Sequence, residues 1–217
     1  MSVSSDPVLE GVFGTYTITA ADRREVSAYR WSVLVLALAQ LALVLQWRFV
    51  GSAALWPWLV LMVLALGFAL RWIHIYLKPL HRALQLLWLL GSLGFLLLAL
   101  RQGPAALPVA LLEQRGWIWL VGPYFAALTG LGFKEFFCFH RPEAIGLTLV
   151  VPLLLLGRLS GLLSTGLGAA LLALQAALLL LLALRKFPMD PAADIGDKSV
   201  FEEMERRRRG QLPVAGG

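Results

Sequence analysis

The chain alternates between long apolar blocks and short polar junctions. Six blocks are long enough to cross a bilayer, because a hydrocarbon core about 30 Å thick needs about 20 helical residues. We predict these spans over residues 31–47, 52–70, 83–100, 117–133, 145–163 and 164–184. The blocks are continuously apolar rather than alternating, which predicts helices and excludes the strands of a barrel. Only Arg158 and Gly161 separate the last two blocks, so a re-entrant hairpin is an alternative for that pair.

The composition supports an integral membrane protein. Hydrophobic residues make up 59% of the 217 residues and charged residues only 15%. A soluble domain is typically about 45–50% apolar and about 25% charged. The net charge of +6 comes mostly from basic residues at the ends of apolar blocks. Membrane topology explains that charge, so we expect the lipid bilayer and no nucleic acid as a partner.

The basic residues also predict the orientation. They are concentrated at the N-terminus, in the second and fourth connections between spans, and in the C-terminal tail. Because basic residues favour the cytoplasmic side, both termini are predicted to be cytoplasmic. Residues 1–29 carry acidic side chains and no apolar core of a signal peptide, which agrees with that orientation. The predicted fold is therefore an all-α, polytopic membrane helical bundle of about six transmembrane helices.

Three regions follow from this pattern. Residues 1–29 form a cytoplasmic N-terminal segment, 30–186 a six-helix transmembrane domain, and 187–217 a cytoplasmic tail. Thr19 and Asp22 have the spacing of a capping box and predict a helix start, after a turn and a short extended piece. In the tail, a linker precedes a second capping box at Ser199, which predicts a short amphipathic helix over 199–209. We expect this helix to lie against headgroups or on a partner.

Residues 132–143 place the only cysteine, a histidine and four charges between the fourth and fifth spans. Lys134 can extend to the interface, and Pro142 with Glu143 suits a helix start. Glu135 is short and surrounded by phenylalanines, so its carboxylate needs a partner. Its sequence neighbour Lys134 points about 100° away on a helix and is not expected to pair with it.

The preferred partner of Glu135 is a base from the aromatic and basic connector over residues 71–82. That connector is predicted to lie on the same side of the membrane, and it offers Arg71, Lys78 and Arg82. Such a pair would tie the second and fourth connections together. Arg141 is a further structural or interaction residue, at the end of one helix and the start of the next. The alternative is that Glu135 handles protons or contacts a ligand.

Metal or haem binding has four candidate residues. Cys138 and His140 are two positions apart, and His74 and His81 are predicted on the same side of the membrane. None of the spacings of established zinc or haem motifs occurs, so interfacial histidines and a buried cysteine explain the pattern better. We predict no metal site, and the sequence identifies no cofactor and no catalytic residue.

Three stretches, GVFGTYTITAADR (11–23), GFKEFFCFHRPEA (132–144) and DIGDKSVFEE (194–203), resemble a family of uncharacterised integral membrane proteins found mainly in cyanobacteria. The resemblance covers nearly the whole chain, and its most specific part is the Lys-Glu-x-x-Cys-Phe segment. It implies a cyanobacterial plasma or thylakoid membrane, and it supplies no catalytic residues.

The leading functional hypothesis is a non-enzymatic membrane protein that binds other membrane subunits, such as an assembly or accessory factor for photosynthetic complexes. It rests on the absence of a catalytic motif, on very apolar spans and on charged connections. A small transporter or channel is the alternative, although only Gln40, Gln175 and Pro152 interrupt the spans. A haem- or metal-binding membrane protein is the third hypothesis.

Overall fold

The computed structural model describes residues 6–209 as a helical bundle with a small cap at one end. Two strands, β1 (Val8–Gly11) and β2 (Gly14–Thr17), form a hairpin. The helices are α1 (Ala20–Phe49), α2 (Trp56–Trp72), α3 (Lys78–Gln102), α4 (Leu107–Glu113), α5 (Ile118–Phe139), α6 (Pro142–Ser160), α7 (Thr165–Lys186), α8 (Pro191–Ile195) and α9 (Lys198–Arg208). Within the described residues, five helices are long and apolar enough to cross a membrane, and α2 is a shorter apolar helix. The predicted membrane helical bundle is confirmed.

The ends of the helices follow local signals in the sequence. At the start of α1, Thr19 and Asp22 form the predicted capping box, with both reciprocal hydrogen bonds present. Because the box lies so far upstream, α1 begins well before the predicted span and runs across the predicted boundary at residues 29 and 30. Helix α5 ends where His140 adopts a left-handed conformation, and Pro142 opens α6.

Two segments outside the predicted spans are more ordered than the sequence predicts. Residues 102–116, between the third and fourth predicted spans, contain the whole of α4, and neither proline interrupts it, since Pro104 precedes the helix and Pro108 lies in its first turn. The proposed linker over residues 188–197 contains α8, which Asp190 caps. The last two apolar blocks form two separate helices, as predicted, and each is long and apolar enough to cross a membrane. A tight turn joins them, with Gly161 in a left-handed conformation (φ 78°).

Helix α1 packs against α2, α7 and α8, while α5 packs against α3 and α6. In lipid, apolar burial does not drive helices together, so association relies on close contact. The α3–α5 interface provides it with small residues. Gly91 lies against the backbone of Tyr124 and Gly94 against the carbonyl of Leu120, and in both places an added Cβ would overlap those atoms.

The cap consists of the hairpin, the non-helical part of the connector between α2 and α3 (residues 73–77), α8 and α9. The N–H groups of Val12 and Phe13 donate to Asp197 Oδ2 (2.7 Å) and Ser199 Oγ (3.0 Å) respectively. Tyr76 of the connector stacks on Phe201 of α9 with ring centroids 4.5 Å apart. The described parts of both terminal segments therefore meet at one end of the bundle.

One prediction about α9 is wrong. The helix cap is Asp197 rather than Ser199, since the Asp197 side chain accepts from the Ser199 N–H and holds the Ser199 hydroxyl as well. One face of the helix lies on the protein's own hairpin and connector, and contact of the helix with headgroups or a partner stays a prediction. The predicted tail beyond Arg209 lies outside the described residues.

Candidate functional site

The Glu135 carboxylate lies at the centre of the most concentrated group of buried charges. It is fully buried near the cap end of α5 and accepts three hydrogen bonds. Oε1 accepts from Tyr29 Oη at 2.5 Å and from Lys134 Nζ at 3.1 Å, and Oε2 accepts from Lys186 Nζ at 2.6 Å. Helices α1, α5 and α7 therefore meet at one carboxylate. A buried carboxylate with this many donors can remain charged away from water.

A second carboxylate extends the cluster into the cap. Helix α8 places Asp194 beside Lys186, with Oδ1 and Nζ 2.5 Å apart. Asp194 Oδ2 also accepts from Arg30 Nε at 2.8 Å. The Arg30 guanidinium donates further to the carbonyls of Met189 (2.9 Å) and Asp190 (3.2 Å), at the start of the chain that forms α8. Lys186 thus bridges the two carboxylates, and Arg30 attaches the segment after α7 to α1.

Aromatic rings complete the surroundings of the lysines. Phe139 has the ammonium groups of Lys134 and Lys186 at 5.3 Å and 4.6 Å from its ring centroid. The Tyr29 ring has the same two groups at 5.5 Å and 5.2 Å. Arg30, Lys134 and Lys186 outnumber the two carboxylates, and ring faces attract cations most strongly where water is excluded. We define the buried charge cluster as Tyr29, Arg30, Lys134, Glu135, Lys186 and Asp194.

A smaller pair lies next to this cluster. Glu143 is in the first turn of α6, as predicted, and is buried. Its Oε2 accepts from Arg185 Nη1 at 2.9 Å, and its Oε1 lies 3.8 Å from Arg141 Nη1. Glu143 therefore does more than complement the dipole of α6, because it also links α6 to the end of α7.

The predicted pairing of Glu135 with the connector is wrong. Its partners come from α1, α5 and α7 instead, whereas Lys78 pairs with Glu205 of α9 at 3.1 Å. Arg71 and Arg82 are exposed. The expectations that Lys134 extends to the interface and that it does not pair with its neighbour are also wrong, because Lys134 is buried beside Glu135. The Cβ directions of adjacent residues diverge, but the long lysine side chain bends back far enough for its ammonium to meet Glu135.

The four candidate metal ligands lie apart. His81 Nε2 is 2.7 Å from the carbonyl of Leu70, and His74 Nε2 is 3.5 Å from Glu25. Burial lowers the pKa of the His74 imidazole below its ordinary value, although the Glu25 carboxylate opposes this shift. Cys138 is exposed, so the expected burial of this cysteine is wrong, and His140 occupies the C-cap of α5. Among residues 6–209, no group of three or more His, Cys, Asp or Glu is arranged to hold a metal ion.

Four members of the cluster were not predicted from the sequence. Tyr29, Arg30 and Lys186 belong to basic and aromatic ends of apolar blocks, a pattern that membrane topology alone produces. Asp194 lies in a segment rich in proline, alanine and glycine, which is typical of a linker. The one available signal was the capped helix start at Thr19, since it places Tyr29 and Arg30 on a helix that continues into the first span.

The fold and the cluster define a polytopic helical membrane protein whose cap is attached to the bundle by buried charges. The family described as "Uncharacterized integral membrane protein (DUF2301)" matches residues 68–203, which is more than half of the chain. The chain belongs to this family, and it is an integral membrane protein in contact with the lipid bilayer. Searches of the curated proteins and of the solved structures give no match.

Proposed function

We propose that this is a non-enzymatic membrane protein whose cap binds other membrane subunits, as an assembly or accessory factor for photosynthetic complexes. The observation that carries the proposal is that the buried charges connect α8 and the tail to the bundle. The cyanobacterial plasma or thylakoid membrane and the photosynthetic setting rest on the sequence resemblance alone. Subunit binding rests on the cap.

A cap held in this way suits a docking platform. Ordering loops and side chains on association costs free energy, so a surface fixed in advance binds more tightly. The cap presents exposed apolar side chains, with Val12 79%, Phe13 43% and Met204 44% accessible. Arg207 lies over the Phe13 ring at 5.7 Å. Apolar contacts bordered by cations favour a partner with an acidic rim around an apolar centre.

Site-specific photocrosslinking in native membranes tests this proposal. A photoreactive amino acid at Val12 or at Met204 should capture the same protein, because both side chains belong to one platform. The matched control position is Leu149 on α6, which is 65% exposed outside the cap and should capture lipid. Capture at the cap should be lost in Phe13→Ser and kept in Leu162→Ser, which removes an exposed apolar side chain at the opposite end of the bundle. Different proteins at the two cap positions, or no protein at either, would overturn the proposal.

A small transporter or channel is the second candidate, and one observation favours it. Gln40 of α1 and Gln175 of α7 are both buried in mid-span, with Gln175 Nε2 3.4 Å from Gln40 Oε1. Polar residues at that depth are expensive and often mark a pathway. Proton flux into proteoliposomes, followed with a pH-sensitive dye and abolished by Gln175→Leu in a variant that still folds, would place this candidate first.

A further inference from the structure

A cavity of about 220 Å³ lies among α1, α5, α6 and α7, toward the end of the bundle opposite the cap. Its walls are mostly aliphatic and aromatic side chains, including Trp47, Val121, Phe125, Leu155 and Leu172. The buried charge cluster contributes no residue to this lining. It is therefore a separate feature of the molecule, independent of the proposed role of the cap.

Two polar groups in the lining have no partner within the described chain. Arg158 Nε and Gln175 Oε1 are both buried without a hydrogen bond. Gln175 is only 1% exposed, and its other amide atom is occupied by Gln40. Buried polar groups are normally satisfied, so unpaired ones around an apolar cavity indicate a missing ligand.

The start of α7 adds a second attraction for an anion at the same cavity, beside the Arg158 guanidinium. Ser164 and Thr165 belong to the lining, and Ser164 is the N-cap, accepting from the Leu167 N–H at 3.3 Å. The first N–H groups of a helix have no acceptor within the helix, and this end carries partial positive charge. Arg158 and this helix start therefore favour a negative group at the end of the cavity nearest the α6–α7 turn.

We propose that the cavity binds a single-chain amphiphile with a carboxylate headgroup, of the fatty-acid class. The forked guanidinium of Arg158 matches a carboxylate, and the apolar walls match one hydrocarbon chain. Ligand pockets usually start at about 300 Å³, so this smaller cavity suits one chain rather than the two of a phospholipid.

The length of the cavity also indicates how far into the bundle the bound chain reaches. Thr165 and Gln175 are ten residues apart on α7, which corresponds to about 15 Å along a helix. The chain therefore runs from the bundle end to the middle of the bundle, where Gln175 meets it. A chain with a hydroxyl group at that depth satisfies the Gln175 amide and binds more tightly than a plain chain.

Fluorescence quenching of the purified full-length protein tests the proposal, because Trp47 lines the cavity. Bromine quenches tryptophan on contact, so a brominated dodecanoic acid, whose extended chain is about as long as the cavity, should give a saturable quenching component that disappears in Trp47→Phe. The brominated methyl ester lacks the negative head and should give no such component. A brominated phosphatidylcholine, with two chains and a bulky head, should not displace the acid.

Matched variants locate the site. Arg158→Gln should weaken the acid at least tenfold, whereas Arg101→Gln, an exposed arginine at the end of α3, should not change it. Ala169→Leu fills the cavity and should abolish saturable binding, whereas Ala170→Leu, on the exposed face of α7, should leave it intact. Equal binding of acid and ester, displacement by phosphatidylcholine, or unchanged binding in Ala169→Leu would overturn the proposal. The two alanine variants decide the question even if Arg158→Gln does not fold.

Discussion

Lys186, the last residue of α7, donates to Glu135 of α5 at 2.6 Å, and both side chains are fully buried. The same ammonium lies 2.5 Å from Asp194 of α8. The residue that ends the last span therefore also holds the first element of the tail. Bundle packing and cap attachment share one side chain, which makes this residue the most sensitive test of the arrangement.

Replacing Lys186 with methionine should destabilise the whole protein. The change keeps the side-chain volume but leaves Glu135 and Asp194 short of a cation, and breaking a buried ion pair costs about 3–5 kcal/mol. Reversible unfolding in mixed micelles measures the free energy. Lys78→Met is the matched control, because Lys78 and its partner Glu205 are exposed and such pairs contribute at most about 1 kcal/mol. Equal losses of unfolding free energy in the two variants would show that the buried bridge stabilises the protein no more than the exposed pair does.

Replacing Asp194 with alanine should release the cap while leaving the spans folded. Asp194 connects α8 to Arg30 and to Lys186, so its loss removes both contacts at once. Limited trypsin digestion at Lys198 should accelerate at least tenfold, since cleavage requires local opening. Glu202→Ala, an exposed change on α9, should leave the cleavage rate unchanged. Unaltered cleavage in Asp194→Ala would mean that the hairpin alone retains the tail.

The spans could be predicted because lipid imposes a strong constraint on sequence. A crossing helix must satisfy its own backbone and present apolar side chains, and both requirements are visible in a single chain. Capping is equally local, which is why the start of α1 at Thr19 and the start of α6 at Pro142 were predicted correctly. Signals within a few residues of each other are sufficient for these features.

The buried charge cluster could not be predicted in this way, because its contacts join residues that are far apart in the chain. Glu135 meets Tyr29 and Lys186, which are 106 and 51 positions away in the chain. Their contact depends on which helices pack together and at which depth, and hydropathy specifies neither. The connector residue Lys78 was an equally plausible partner by charge and by side of the membrane. The correct partners became visible only once α1, α5 and α7 were placed side by side.

Acid should loosen the hairpin from α9 through Asp197. Hydrogen bonds from the Ser199 side chain and from the Val12 N–H hold the pKa of the Asp197 carboxyl below its ordinary value. A carboxyl with a depressed folded pKa contributes stability above its ordinary pKa, and that stability is lost as pH falls through the folded value. The contact should therefore be intact at neutral pH and fail below about pH 4.

Hydrogen exchange at the Val12 amide measures this loss directly, after correction for the intrinsic pH dependence of exchange. Asp197→Asn is the informative variant, because the amide oxygen still accepts a hydrogen bond but does not titrate in this range. Protection of Val12 should be weaker in this variant and should no longer decrease between neutral pH and acid. A pH dependence that survives the substitution would assign the effect to another carboxyl group.

Close contact between α3 and α5 should depend on Gly91. A Cβ at this position would overlap the backbone of Tyr124, which cannot move aside as a flexible side chain can. Gly91→Ala should therefore force the helices apart and lower the unfolding free energy by about 1–3 kcal/mol, as overpacking does elsewhere. Gly166→Ala, where an added Cβ meets open space, should be neutral or slightly stabilising. The free energies of unfolding of the two variants, measured under identical micelle conditions, test this difference.

The cap should face the cytoplasm. Basic residues around it include Arg71, Lys78 and Arg82, and positive charge is retained on the cytoplasmic side during insertion. In a Cys138→Ser background, Ala193→Cys in the cap should react with a membrane-impermeant maleimide only when the cytoplasmic face is accessible. Ala105→Cys, exposed at the far end of α3, should show the opposite accessibility, because α3 crosses the membrane away from the cap. Labelling of both positions from one face would contradict a transmembrane α3. Labelling of Ala105→Cys from the cytoplasmic face and of Ala193→Cys from the other face would show that the cap does not face the cytoplasm.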